Sequence, residues 1–398
     1  MVSKLVGLLP NLEEAKLLDS TDAEASYVWK LALDVLGTSD ATSKDDFEEA
    51  FYLVQSLADR TWEQINSGVF SEVPISTRKV YALSCFLRIV FLLLDSDDEK
   101  QLEECFRTLD NAVLVGCTTD LYGRGSDFLQ ETSKFLDEKA GRFNDVHFEV
   151  IVPLEYKECE CDIDCLDCPT IEAFNADYFK PKKPVLLKNT IKHWPAMQKW
   201  RDPNYLLKAA GNRFVPIEIG SNYTTDNWSQ EMSKFKEFFV RQFGSEKDSN
   251  EIEYLAQHEL FDQIPTLKDD IRIPDYCCLG KNEPHEIDIK AWLGPKGTVS
   301  PMHQDPKHNV LCQVFGSKKV ILASVADSEF LYAHPSKMLE NTSELDAENI
   351  DFEKYPLAKN AKFYHLKLQE GDALYIPPKW WHFIRSLNKS FSVSFWWE

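Results

Sequence analysis

Much of what would fix a cellular role is missing from this chain of 398 residues. No apolar run is long enough to cross a bilayer. The most apolar stretch, Val80–Leu94, is shorter than a span and carries Arg88 inside it, so it is predicted to be a buried helix. The first ten residues hold one short apolar run, Leu5–Leu9, without a small-residue cleavage pattern, so no secretory signal is expected. The 10 cysteines are irregularly spaced and are therefore expected as reduced thiols. Positive charge is scarce. There are 44 Lys and Arg against 65 Asp and Glu, a formal net charge of −21. That argues against direct nucleic-acid binding, which needs a basic face. It suits a basic peptide partner, drawn in by electrostatic steering. There is no basic import run, no G-x-S-x-G nucleophile turn and no chromatin-reader zinc pattern.

What is present divides in two. Residues 1 to 145 read as helices. Thr21-Asp22-Ala23-Glu24 fits a capping box, Gly37 a stop, and Ser43 the cap of the next helix. Phe47, Phe51, Val54 and Leu57 make one apolar stripe, and Leu102, Phe106, Leu109 and Val113 another. Stripes on one side joined by short loops imply antiparallel helical hairpins, without a clean 34-residue repeat. Nothing in this half carries chemistry, so a structural or partner-binding domain is expected. Around Val146–Val152 the pattern turns to alternation, and the second domain, 146–398, is placed from there.

A cysteine cluster follows: Cys159, Cys161, Cys165 and Cys168. Its C-x-C-x3-C-x2-C spacing departs from the common zinc knuckles, and two ligands one residue apart strain a tetrahedral site. An exposed loop is the expectation. Thr170–Tyr178 is predicted helical, and Pro184–Lys188 and Phe214–Ile219 as strands. Glu218, Tyr223 and Trp228 form a carboxylate-and-aromatic set that could hold a guanidinium or a methylated ammonium. Residues 327 to 362 read as a polar insertion between strands. His258, His308, His334 and His365 are assigned no role.

The chemistry concentrates near the C-terminal end. In Ser300-Pro301-Met302-His303-Gln304-Asp305-Pro306, His303 and Asp305 are two apart, and on a strand such residues share a face. His382 lies 382 − 305 = 77 residues on, within reach if antiparallel strands close a barrel. Gly371-Asp372 is a good hairpin-turn dipeptide before the β-prone Leu374-Tyr375-Ile376, which Pro377-Pro378 ends. Two imidazoles and a carboxylate leave open positions on a mononuclear iron, and a catalytic zinc uses the same ligand types. The residues alone leave both metals open.

The long stretch Trp292-Leu293-Gly294-Pro295-Lys296-Gly297-Thr298-Val299 leading into that motif resembles the first metal-binding strand of the Jumonji-C (JmjC) oxygenases. Gly371–His382 and Phe391–Trp397 resemble their final strands. Tyr254–His258, Leu260–Pro265 and Ile273–Cys277 are similar too, so the resemblance is strong from about residue 148 to 398. It extends more weakly through Trp62–Gly68 and Arg78–Ala82. It implies an α+β chain: an N-terminal all-α domain, then a double-stranded β-helix of jelly-roll, cupin-like form. It implies an Fe(II)/2-oxoglutarate-dependent dioxygenase using O2, with iron on His303, Asp305 and His382. Lys318, helped by Tyr254 and Ser300, would hold the distal carboxylate of 2-oxoglutarate, and Asn309 would touch it near the metal. Glu218, Tyr223 and Trp228 match positions lining the substrate pocket of arginyl hydroxylases. Stable hydroxylation of arginine at its β-carbon is the expected reaction. Demethylation of methyl-lysine on histone tails is the alternative, and a peptidase action on methylated tails a further one. Asp305 favours hydroxylation, because many JmjC demethylases carry Glu there. A non-enzymatic cupin-like scaffold is the reading from another class. Nuclear or cytoplasmic residence follows from the resemblance. A monomer is expected, because relatives that dimerise use helices beyond the last strand and this chain ends at Trp396-Trp397-Glu398.

Overall fold

Helices form first in the chain because its first third carries caps and apolar stripes at helical spacing. The structure is a computed structural model. It describes residues 2–10, 22–37, 43–96, 98–116, 125–140, 150–152, 161–220, 228–244, 251–281, 286–337 and 339–398. Among the described residues, six α-helices precede the first strand: α1 Val2–Leu8, α2 Ala23–Gly37, α3 Lys44–Asn66, α4 Ile75–Asp95, α5 Glu99–Leu114 and α6 Gly125–Ala140. Ser43 caps α3 by accepting from the Asp46 N–H at 3.1 Å. Thr21 lies outside the described residues; Asp22 accepts from the Ala25 N–H at the start of α2. From Val80 to Leu93 every residue of α4 is buried except Arg88, whose guanidinium reaches out to Glu104 at 2.9 Å. An all-round apolar helix with one ion pair at its margin is a central core helix, as its sequence predicts. Phe91 of α4 stacks on Phe51 of α3, ring centroids 5.7 Å apart.

Two units emerge. The first comprises Met1–Phe143 together with Asn212–Phe214, the second Asn144–Gly211 with Val215–Glu398. The sequence offers no sign that three residues from 212 onward belong with the helices. Their reason is electrostatic: the buried Asp110 of α5 accepts from the Arg213 guanidinium at 2.8 and 2.5 Å and from the Phe214 N–H at 2.7 Å. A buried carboxylate needs such partners to offset its lost hydration.

The second unit is built on β1 Cys165–Asp167, β2 Val185–Lys188, β3 Phe214–Ile219, β4 Ser229–Lys234, β5 Glu253–His258, β6 Asp288–Gly294 and β7 Val299–Gln304. Then come β8 His308–Phe315, β9 Lys318–Ala323, β10 Phe363–Leu368, β11 Ala373–Ile376, β12 Trp381–Ser386 and β13 Ser390–Trp397. Nine strands form one sheet in the order β1-β2-β11-β8-β13-β6-β5-β3-β4, and β10-β9-β12-β7 form a second. Leu186, Leu311, Val320, Leu322, Leu366 and Leu374, drawn from both sheets, make one apolar cluster. That is the packing of a cupin-like barrel, two sheets face to face. A second cluster, with Phe391, Val393, Phe395 and Trp397, backs the large sheet. A third backs the small sheet, where Met302, Trp381 and Phe383 meet Leu331, Leu345 and Tyr355 of the insertion.

Three expectations change. Gly371-Asp372 joins β10 to β11, and these lie in different sheets, so the turn is a crossover and not a hairpin. The Asp372 carboxylate ties it to the end of β2, accepting from Lys188 and from the Asn189 N–H at 3.0 Å. The strand expected over Val146–Val152 lies mostly outside the described residues. Its described part, Val150–Val152, is not a strand; the Ile151 N–H donates to the Arg201 carbonyl at 2.9 Å. The polar insertion buries the apolar residues just named. Of the cysteine cluster, Cys159 lies outside the described residues, Cys161 is half-buried, and Cys165 and Cys168 are exposed free thiols. No described helix is long and apolar enough to cross a membrane.

His308 is structural. Its ring stacks on Phe179 with centroids 4.4 Å apart, and its Nδ1 lies 2.8 Å from the Tyr375 hydroxyl. Burial, with Lys182 nearby, pushes its pKa down to about 4 from 6.5. The unfolded chain therefore takes up this proton near pH 6.5 and the folded protein only near 4. Stability should fall as pH drops through that window and level off below it. Chemical denaturation from pH 7.5 to 4 should show wild type losing on the order of 1 kcal/mol more than His308→Gln, after solvent screening.

Candidate metal centre

The site exists because β7 and β12 pair antiparallel with His303 directly opposite His382. The register contains a bulge. His382 to Ile384 spans two residues of β12, while their partners His303 and Ser300 span three of β7. The extra residue restores the same face, so Ser300 and His303 both line one cavity while Met302 turns outward. On β12, His382 and Ile384 face in, and Trp381 and Phe383 face out. Asp305 lies one residue past the end of β7, not on the strand as its spacing predicts. Its carbonyl is held by the Lys379 N–H at 2.7 Å, and Lys379 adopts a left-handed φ of 62° to make that bond.

The three side chains converge. Their ligand atoms all lie within 4.8 Å of one another, the only such group among the described residues. His303 Nε2 and His382 Nε2 are 4.0 and 3.5 Å from Asp305 Oδ2. Each Nδ1 lies near the carbonyl two residues back: His303 to Pro301 at 2.6 Å, His382 to Trp380 at 2.9 Å. A carbonyl only accepts, so each Nδ1 carries the proton and each Nε2 offers its lone pair. Burial, and the facing His382, push the His303 pKa down to about 4, so the ring is neutral at pH 7 as a ligand must be. Burial acts to raise the Asp305 carboxyl, and a proton taken up by His382 or His303 opposes that and holds it low. Its Oδ2 is nonetheless buried with no hydrogen-bond donor. An orphaned anionic oxygen between two imidazole lone pairs fits a divalent cation.

The cavity continues between the two sheets. Lys318 lies at the start of β9, opposite Ser386 of β12. Its Nζ is buried, donates to the Tyr254 hydroxyl at 3.1 Å and lies 5.9 Å from the Trp292 ring centroid. No carboxylate of a described residue pairs with it. Burial pushes its pKa down to about 7. A lone buried ammonium facing a cavity fits a carboxylate ligand. Asn309 of β8 leaves its Oδ1 orphaned on the opposite wall.

The structure thus brings His303, Asp305, His382, Tyr254, Ser300, Asn309 and Lys318 to one cavity. Glu218 stands one strand away, opposite Tyr254 in the β3–β5 register. Burial raises its carboxyl, and the Trp228 indole opposes that shift. Tyr223 lies outside the described residues. The sequence reading singled out neither Trp292 nor Trp396, which also line the cavity. Strand alternation was the available signal. Phe391, Val393, Phe395 and Trp397 pack behind the sheet, which leaves Ser394 and Trp396 to face in.

The outer edge of β7 is closed by the insertion. Gln304 donates its N–H to the Asn341 carbonyl at 2.9 Å, Ser343 donates to Met302 at 2.7 Å, and Thr342 bridges to His303. The strand that bears His303 is thereby held on both sides. His303→Ala should weaken Mn(II) binding by at least about 100-fold in calorimetry, with little change in melting temperature of the metal-free protein.

Comparison with known proteins bears on the same residues. Residues 171–398 match the family model described as a cupin-like domain. The chain is 51% identical to Jumonji C domain-containing protein 5 of Drosophila melanogaster, covering 99% of this chain and 98% of that one. It is 39% identical to Lysine-specific demethylase 8 of Danio rerio, covering 86% of each. Against Lysine-specific demethylase JMJ30 of Arabidopsis thaliana the identity is 36%, over 97% of this chain and 92% of that one. The cavity, the ligand triad and these likenesses agree, and this chain belongs to the cupin-like JmjC family of Fe(II)- and 2-oxoglutarate-dependent oxygenases.

Proposed function

We propose that the protein hydroxylates an arginine side chain of a protein substrate, at the β-carbon. The observation that carries this reading is Glu218: a half-buried carboxyl with no Lys or Arg of the described residues paired to it. It stands opposite Tyr254, which lines the metal cavity. Close to it is the Trp228 indole, whose N–H opposes the effect of burial on the carboxyl. A guanidinium is planar, permanently charged and able to donate two parallel bonds to one carboxylate. A methylated ammonium has fewer donors to offer and depends more on aromatic faces. The names of the relatives from Danio and Arabidopsis speak for methyl-lysine demethylation, and that remains the competing reading.

The roles follow from the geometry. His303, Asp305 and His382 would hold Fe(II). Lys318 and Tyr254 would bind one carboxylate of 2-oxoglutarate, with Ser300 beside them on β7. When bound, the metal and 2-oxoglutarate supply the oxidising chemistry that converts O2 and a C–H bond to a hydroxyl, with succinate and carbon dioxide as by-products. The chain itself orients the reactants and excludes water, and its apolar walls, Trp292, Leu311 and Ile384, do the latter. Glu218 would anchor the guanidinium and so decide which carbon of the side chain lies nearest the metal.

Two outcomes are expected. Lys318→Met removes an unpaired buried charge, so melting temperature should hold or rise while the Kd for 2-oxoglutarate increases by about 100-fold. Isothermal calorimetry with Mn(II) in place of iron reads the Kd, and thermal denaturation reads the melting temperature. Second, arginine peptides incubated with Fe(II), 2-oxoglutarate and ascorbate should gain one oxygen by mass spectrometry, and should not with the His303→Ala protein. Loss of a methyl group from methyl-lysine peptides with release of formaldehyde, and no oxidised arginine, would overturn the proposal.

A further inference from the structure

The nine-stranded sheet ends at β4, beyond β3. Side chains alternate across a strand, yet Ser229, Gln230, Glu231 and Met232 are all exposed. Neither face of this half of the strand is covered by the described residues. Both edges of the small sheet, by contrast, are closed. Asn341–Ser343 cover β7, and Asp162 pairs with His365 of β10, its N–H donating to the His365 carbonyl at 3.0 Å and its carboxylate accepting from the His365 N–H at 2.8 Å. An uncovered edge presents a row of backbone donors and acceptors that templates pairing with another extended chain.

We propose that β4 is a docking strand onto which an extended, lysine- or arginine-bearing segment of the protein substrate adds as a further strand. The proposal rests on the reading of Glu218 and Trp228 as the side-chain pocket. Continuity with that pocket is the first argument: Glu218 lies on the neighbouring β3, and Trp228 directly precedes Ser229. Charge is the second. Within the exposed half-strand the one ionised side chain is Glu231, which meets a basic segment favourably. A second copy of this chain would instead bring a second Glu231 and another net charge of −21. Met232, on the opposite face from Glu231, offers the apolar contact that a basic segment with alternating aliphatic residues would use.

Spacing fixes where the docked segment sits in the substrate. Neighbouring strands lie about 4.8 Å apart, so a strand outside β4 runs about 14 Å from β5, which carries Tyr254. Extended chain covers that distance in about four to five residues. The docked segment therefore flanks the modified residue at an offset of about five positions. Recognition through main-chain bonds makes few demands on sequence, so the substrate is defined by a basic, extensible flank more than by a motif.

The test measures binding and turnover separately. Fluorescein-labelled basic peptides with one central arginine would be titrated by anisotropy against the full chain with Mn(II) and 2-oxoglutarate, without oxygen. One peptide spans about two residues either side of the arginine, the other about ten. The long one should bind at least about tenfold tighter. Single backbone N-methyl groups along one flank should weaken binding about three- to tenfold at every second position and leave the intervening ones unchanged. In the protein, Gln230→Pro and Glu231→Pro probe the two sides of the strand. The variant that keeps its melting temperature should lose the advantage of the long peptide and raise its KM, with kcat and short-peptide binding unchanged. Equal affinity for both peptides, or N-methyl effects without a period of two, would overturn the docking strand even if arginine is hydroxylated. An alternating pattern with no hydroxylated product would leave the docking strand standing and overturn the arginine reading instead.

Discussion

The pairing of β7 with β12 is the contact on which the site depends. It sets His303 against His382 across one ladder, and a single bulge decides that Ser300 shares their face. A slip of one residue in that register would turn the imidazole of one strand to the outer cluster and bring Met302 or Trp381 inward. The apolar residues beside each ligand prevent it. Met302, Trp381 and Phe383 are buried against the insertion, so the outward face of each strand is as firmly specified as the inward one. Packing on one side of the sheet is what positions ligands on the other.

The same cavity holds polar groups that the folded protein leaves unsatisfied. Asp305 Oδ2 has no donor, Asn309 Oδ1 has none, and Lys318 has no anion among the described residues. Each costs stability in the ligand-free protein, because buried polar atoms without partners forfeit their hydration. The costs are tolerable because large clusters on either side of the sheets support them, and because each group has a ligand of opposite character to receive. A metal held by the two imidazoles and the carboxylate, and a dicarboxylate held by the ammonium, would satisfy these groups.

Much of this was legible in the residues. His303, Asp305 and His382 stand out by type and by the breakers around them, and the apolar α4 announces a helical core. Residue identity at short range carries such features. What stayed illegible depends on long-range register. The bulged β7–β12 pairing, the sheet change at Gly371-Asp372, and the grouping of Arg213 with Asp110 join residues 382 − 303 = 79, 184 and 103 positions apart in ways no local pattern encodes. Asp305 was placed on a strand by its spacing; the left-handed Lys379 holds it just beyond one. The insertion read as polar because its charges are on the surface, while the few apolar residues that do the packing are scattered among them.

The bond between Asn341–Ser343 and the edge of β7 separates two evolutionary freedoms. A loop that must cover a strand with three residues and fill a pocket with a handful of apolar anchors can vary everywhere else. Recharging the exposed Pro335–Lys337 or Asp351–Lys354 touches none of the bonds between Asn341–Ser343 and β7. The surroundings of the barrel can therefore be re-specified in one lineage or another without reopening the question of how the metal is held.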